Sequence, residues 1–86
     1  MKRSYVYILT TDDHTVLYTG VTGNLARRIS RHRMREGSKF TAKYNVTKLV
    51  HVEVFGSIRD AIAREKQIKA GSQQDKIDLV NAHNPE

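Results

Sequence analysis

Four residues in this chain have types and spacings that could carry phosphate chemistry: Tyr7, Tyr18, Arg28 and Glu65. A phenol acidified by nearby cations can take a proton from water, a guanidinium can hold a phosphate bidentately, and a carboxylate can ligate Mg²⁺ or Mn²⁺. Phosphodiester hydrolysis needs such parts. The attacking water must lose a proton, charge growing on the non-bridging oxygens must be stabilised, and the leaving oxygen must be neutralised. With Glu65 as the single protein carboxylate, most ligands of the one expected ion would be water and substrate phosphate.

The tyrosines fall in two β-branched, aromatic runs, Ser4 to Thr10 and Thr15 to Val21, on either side of a polar turn "TDDH". They read as a hairpin with a loop of about four residues. If Thr10 pairs with Thr15, Tyr7 stands opposite Tyr18 on one face. Gly20 and Gly23 then permit the turn into a helix capped by Asn24, expected to run to about Glu36 before Gly37-Ser38 ends it. A basic connector, "KFTAKYN", has room for one helical turn. Lys48 to Phe55 alternates as a third strand. Two more helices open with Ser-x-x-acid signatures, Ser57 with Asp60 and Ser72 with Asp75, and Asn84-Pro85 stops the last. The order ββαβαα describes an α+β fold, a small three-stranded, mainly antiparallel sheet flanked by helices.

Helical geometry separates the arginine and the glutamate from their neighbours. In the helix from Asn24, Leu25, Ala26 and Ile29 form the apolar stripe and Arg27 and Arg31 project away from it. Arg28 and His32, four apart, flank the stripe, where a guanidinium can be fixed rather than free. In the helix from Ser57, the apolar face is Ile58, Ala61, Ile62 and Ile68, and Glu65 falls near its centre. Burying an unpaired carboxylate costs several kcal/mol, so Glu65 must find a cation, a hydrogen bond or a metal. A buried Glu65–Arg28 ion pair, or a helix turned so that the acid meets solvent, would meet that demand as well as a metal would.

Eighty-six residues make a single domain, 1–86, with one modest core. The 15 Lys/Arg against 9 Asp/Glu give a formal net charge of +6 and a pI near 9.9, a balance that points to a nucleic-acid partner. Arg27, Arg31, Arg35, Lys39 and Lys43 are the candidate backbone contacts, in a stretch from Arg27 to Lys48 that holds eight basic residues and one acid. A solvated helix face followed by a basic loop would look the same. Phe40 and Tyr44 could stack on bases or anchor the connector, and anchoring is the expected role. With no cysteine, disulfides, thiolate metal sites and cysteine nucleophiles are excluded. No apolar run is long enough to span a bilayer, so no membrane is expected, and a cytoplasmic location and a monomer are the expectations.

"YVY" at Tyr5–Tyr7, "YTG" at Tyr18–Gly20, "NLARRISRH" and "AIAREKQIK" resemble the GIY-YIG nuclease superfamily, in particular its small single-domain URI-type predicted endonucleases. The resemblance runs from Tyr5 to about Pro85. It implies a metal-dependent endonuclease acting on nucleic acid, DNA ahead of RNA, structure- rather than sequence-selective, with repair or recombination as the associated setting. A nucleic-acid-binding module on the same fold that no longer cuts is the alternative. By the same resemblance Tyr7 and Tyr18 are the two motif tyrosines, with Tyr18 the usual general base. Arg28 is the phosphate contact, Glu65 the metal ligand, and His32 stands where members carry a tyrosine or histidine near the nucleophile. Val21 departs from excision-repair relatives, which carry a lysine there, and a late asparagine of some members would correspond to Asn81 or Asn84, or have no counterpart here.

Overall fold

The β-branched run at the N-terminus becomes β1 (Ser4–Thr10), the central strand of a sheet ordered β2-β1-β3, in which β2 (Leu17–Thr22) and β3 (Lys48–Phe55) each pair antiparallel to it. The structure, a computed structural model, describes residues 3–83. Between β2 and β3 lie α1 (Leu25–Arg33) and the short α2 (Lys39–Tyr44), and β3 is followed by α3 (Ile58–Ala70) and α4 (Gln73–His83). The observed order is thus ββααβαα. The connector's expected helical turn is a helix in its own right, with Ser38 accepting from Thr41 N at its start and Asn45 in the left-handed region at its end. Asn84-Pro85 lies outside the described residues.

Helices cover both sheet faces, so β1 is buried on both, and alternation divides its side chains between two cores. Val6 and Ile8 meet Ala61 and Ile68 of α3, with Val21, Phe55, Leu79 and Val80 around them. Tyr7 and Leu9 point the other way, onto Ile29 of α1 and Val46, with Tyr18 and Leu49 packed alongside. A Val50 bulge between the Ile8↔His51 and Leu9↔Leu49 pairs gives β3 one extra residue.

The hairpin register differs from the expected one by two residues. Tyr7 faces Gly20 and Tyr18 faces Leu9, because the loop is six residues, 11–16, and not four. The side chains of Thr11 and Asp13 accept from Thr15 N at 3.1 and 3.2 Å, and Thr10 Oγ1 donates to Val16 O at 2.7 Å. Those bonds spend the backbone that would have begun the ladder. A slip of two preserves side-chain direction, so the tyrosines remain on one face as diagonal neighbours.

Helix α1 also ends earlier than expected, at Arg33. Arg35 takes the left-handed conformation (φ 61°), its N–H bonding His32 O at 3.0 Å, while Glu36 N bonds Arg31 O at 2.8 Å. This pair of bonds is a Schellman closure, made on an arginine before the glycine is reached. Asn24 caps α1 as expected, its side chain accepting from Arg27 N at 3.1 Å. Ala26 is exposed, so Leu25 and Ile29 alone carry the apolar stripe. At α4, Ser72 and Asp75 exchange both bonds of the capping box, whereas at α3 Ser57 accepts from Arg59 N.

Candidate active site

Tyr7 is where the elements converge. Its ring is fully buried, and its hydroxyl lies over Gly20 on edge strand β2, the close approach that a side chain at position 20 would block. From α1, Arg28 Nε donates to Tyr7 Oη at 3.1 Å, and His32, also fully buried, bonds the same oxygen through Nε2 at 2.9 Å. The expected flanking position of Arg28 and His32 on α1 is therefore realised, with both converging on one phenol.

His32 is held from behind by α2. Its Nδ1 lies 3.0 Å from Thr41 Oγ1, and the buried Thr41 in turn lies 2.9 Å from Ser38 Oγ. Gly37 packs flat against the imidazole, where a Cβ would stand 2.6 Å from Cε1 and 2.7 Å from Cγ. That is the use of Gly37; the helix has already been closed by Arg35. Thr41, Ser38 and Gly37 were not singled out by their chemistry in the sequence, although the Ser-x-x-Thr cap spacing from 38 to 41 was the available signal.

The protons in this chain can be assigned by satisfying each group. Burial pushes the Tyr7 phenol above its ordinary value, against the opposing bond from Arg28, so Tyr7 keeps its proton at neutral pH. Burial, with the Arg28 charge adding to it, pushes His32 below its ordinary value and leaves the ring neutral. Arg28 can only donate. Tyr7 therefore accepts from Arg28 and donates to His32 Nε2, His32 Nδ1–H donates to Thr41 Oγ1, and Thr41 donates to Ser38 O at 3.3 Å.

Tyr18 stands on the more open side of this chain. Its ring centroid is 6.4 Å from that of Tyr7 and 5.4 Å from that of His32, and it stands near enough to Arg28 to favour the charged guanidinium. The bond to Tyr7, with a smaller contribution from Tyr18, holds Arg28 even more firmly in its charged form. On its other flank Arg28 joins Arg27, Arg31, Thr22, Gly23 and Asn24 around an open cleft of about 520 Å³. Arg35 is exposed in the left-handed turn beyond the helix, and Lys39 and Lys43 are exposed on α2.

Glu65 approaches from α3, on the stripe between buried Ala61 and Ile68, with its side chain 17% exposed. Ile58 and Ile62, expected on that stripe, are exposed, because the helix is turned toward Ala61 and Ile68. The Glu65–Arg28 ion pair does not form: Glu65 Oε2 pairs with Lys69 Nζ at 3.1 Å, one turn along, and Arg28 donates to Tyr7 instead. Helix α3 packs on the sheet face opposite Tyr7, yet both lie against edge strand β2, and the Glu65 charge contributes to raising the Tyr7 phenol. The neighbouring Arg64 fixes the helix through a two-pronged bond to Glu53 of β3, at 2.8 and 3.0 Å, and Glu53 also receives His51 Nε2 at 2.7 Å. Arg64 holds the Glu53 carboxyl below its usual range.

No group of three or more His, Asp or Glu among the described residues could enclose a metal. Glu65 offers a hard ion one carboxylate, and Thr19 Oγ1, buried on the β2 face that α3 covers, has no hydrogen-bond partner among the described residues. Thr19 Oγ1 is sealed from solvent there, so the Glu65 carboxylate alone is available, and one carboxylate fits a weakly held Mg²⁺ or Mn²⁺ completed by water and phosphate. Val21, where excision-repair relatives carry lysine, packs into the Val6–Ile8 core, on the opposite face from Tyr18. No helix of the described residues is long and apolar enough to cross a membrane.

Comparison with known proteins points to one family. The GIY-YIG catalytic domain matches residues 3–78. A UPF0213 protein of Syntrophus aciditrophicus (strain SB) is 41% identical over 87 residues, covering 100% of this chain and 98% of its own. Another, of Staphylococcus haemolyticus (strain JCSC1435), is 39% identical over 80 residues, covering 93% of this chain and 96% of its own. The solution NMR structure of a UPF0213 protein from Bacillus halodurans superposes with a TM-score of 0.59 at 35% identity, over 93% of this chain and 84% of that one. The chain belongs to the GIY-YIG family, among the small UPF0213 proteins.

Proposed function

We propose that the protein is a metal-dependent endonuclease that hydrolyses phosphodiester bonds in nucleic acid, with DNA as the first substrate to test. The convergence of Arg28 and His32 on Tyr7, with Tyr18 beside them, is the observation that carries this reading. Two tyrosines, a clamped guanidinium and a neutral imidazole are more than a small sheet needs for packing, and leaving polar groups there is costly unless they serve a site.

In the proposed reaction, Arg28 holds the scissile phosphate, its orientation fixed in advance by Tyr7, so little ordering remains when substrate binds. Tyr18, on the open side, takes the proton of the attacking water once its own hydroxyl proton has left to solvent, and returns to the neutral phenol. Tyr7 stays protonated, tethered between Arg28 and His32, and positions both. Glu65 would hold the divalent ion, with water and substrate phosphate as the other ligands, and the ion when bound would supply charge neutralisation at the leaving oxygen. Arg27, Arg31, Arg35, Lys39 and Lys43 neutralise flanking phosphates, so recognition rests on backbone and shape.

The test is a nicking assay on supercoiled, branched and single-stranded substrates with Mg²⁺ or Mn²⁺, comparing wild type with Arg28→Ala and Glu65→Ala. Metal-dependent cleavage lost in both variants is expected. Cleavage that survives both removes the site assignment, and tight binding without cleavage on every substrate assigns the chain to the non-cutting module instead.

A further inference from the structure

We propose that Phe40 and Tyr44, flanked by Lys39 and Lys43, form a stacking platform for unpaired bases of the strand whose phosphate lies at Arg28 and Tyr18. The proposal rests on the nucleic-acid reading above and names the class of strand the site selects. Anchoring, the role expected for these aromatics, accounts for the packing of Phe40 on Tyr18 but leaves much of both rings in water: Phe40 is 44% and Tyr44 45% exposed. The buried side chain of α2 is Thr41, which latches onto His32. A short helix has thus turned its two largest rings toward water.

Their arrangement has a direction. Phe40 and Tyr44 are four residues apart and share one side of α2, as do Lys39 and Lys43 on the adjoining stripe. Phe40 stacks on Tyr18 with ring centroids 6.1 Å apart and planes 26° from parallel, and Tyr44 follows at 5.0 Å. Two rings therefore lead outward from the candidate catalytic tyrosine, and Lys43 Nζ sits 5.3 Å from the Tyr44 ring centroid. A run of rings edged by cations fits a strand with splayed bases: each base offers a π-face to a ring, and each phosphate a charge to a lysine. In a duplex those faces are already stacked on each other. On the opposite flank, the cleft of Arg27, Arg28 and Arg31 has cations without aromatics and suits a phosphate backbone. The two flanks together fit a junction or flap, paired on the arginine side and unpaired on the aromatic side.

The test measures binding without catalysis. Anisotropy of labelled single-stranded DNA, single-stranded RNA and hairpin duplex is followed in EDTA at fixed salt, for wild type, Phe40→Ala, Tyr44→Ala, Phe40→Tyr and Tyr44→Phe. Each alanine variant should weaken single-strand binding about fivefold or more, while the ring-retaining variants and all duplex affinities stay within about twofold of wild type. Loss on DNA, RNA or both supports the platform and names the sugar it accepts. Tyr44→Ala, away from the buried chain, keeps the test valid if Phe40→Ala fails to fold. Single-strand affinity unchanged in Tyr44→Ala overturns the proposal, as does an equal fall on duplex; unchanged affinity with lost self-association would give the face to a second copy. Because no cleavage is read, a protein that shows this pattern but never nicks keeps the platform and loses the endonuclease assignment.

Discussion

Adding one methyl group at Gly20 should break both the fold and the site. Gly20 faces Tyr7 across the ladder, and a Cβ there would overlap Tyr7 Oη and stand 2.5 Å from Cζ and 3.0 Å from Cε1. Gly20 is not in the left-handed region, so the cost is collision and not backbone strain. The ring has no room to yield, being fully buried and tied at its hydroxyl to Arg28 and His32. Overpacking costs about 1–3 kcal/mol, and displacing the hydroxyl adds about 1 kcal/mol or more for the partners it abandons. A total of about 2–4 kcal/mol in a domain this small corresponds to a fall of roughly 8–32 °C in Tm. A displacement on the order of 1 Å at Arg28 should also cost about 10²-fold in nicking rate. Gly23→Ala is the control, since a Cβ there meets nothing within 4 Å, and it should be neutral or stabilise by about 0.4–1 kcal/mol. Thermal melts followed by circular dichroism decide the matter. If Gly20→Ala melts within about 3 °C of wild type, the tyrosine does not lie over Gly20 as described.

Thr41→Val keeps the volume but removes the acceptor for His32 Nδ1–H, and should cost about 1–3 kcal/mol and change the ring-nitrogen NMR signature of His32; an unchanged signature would refute the proton assignment. Because burial lowers His32 in the folded state, its contribution to stability is full above its ordinary value of about 6.5 and is lost as the pH falls through the folded value. His32→Gln should flatten that slope in denaturant melts taken across the window. Glu53 follows the same sign lower down: Arg64 lowers it, so its contribution is present above about 4.3 and lost in acid. Glu53→Gln should cost about 1–2 kcal/mol at neutral pH, discounted because Arg64 is 30% exposed, and should remove the acid limb. Glu65→Gln should abolish metal-dependent nicking yet shift stability by only about 0.3–0.5 kcal/mol, since Lys69 is a surface partner one turn away.

The parts of the site that follow from period and spacing were readable from the chain. Four-residue spacing alone put Arg28 and His32 on one side of α1, and helical angle put Glu65 on the stripe of Ala61 and Ile68. The sheet-face placement of Tyr7 and Tyr18 survived a wrong loop length because a slip of two preserves alternation. What could not be read were closures that depend on a particular side chain. Thr11 and Asp13 lengthened the hairpin loop by taking Thr15 N, and Arg35 ended α1 where a glycine was expected to do so. The destination of Glu65 was equally hidden, since a helical wheel does not show that Tyr7 already occupies Arg28. Exposure of Phe40 and Tyr44 is a property of where α2 docks, and composition treats such rings as core by default.

The capping of α2 bears on how this protein could be re-engineered. Residues 38–45 start with their own Ser38 cap, end in a left-handed Asn45, and reach the rest of the chain through Thr41 on His32 and Phe40 on Tyr18. A segment bounded in that way behaves as a cassette. It can be exchanged for another eight-residue stretch that keeps Ser38, Thr41 and Asn45 and varies the rings and lysines between them, leaving both cores of the sheet undisturbed. Strand preference and reaction chemistry would then be separable properties of one 86-residue chain, open to selection independently.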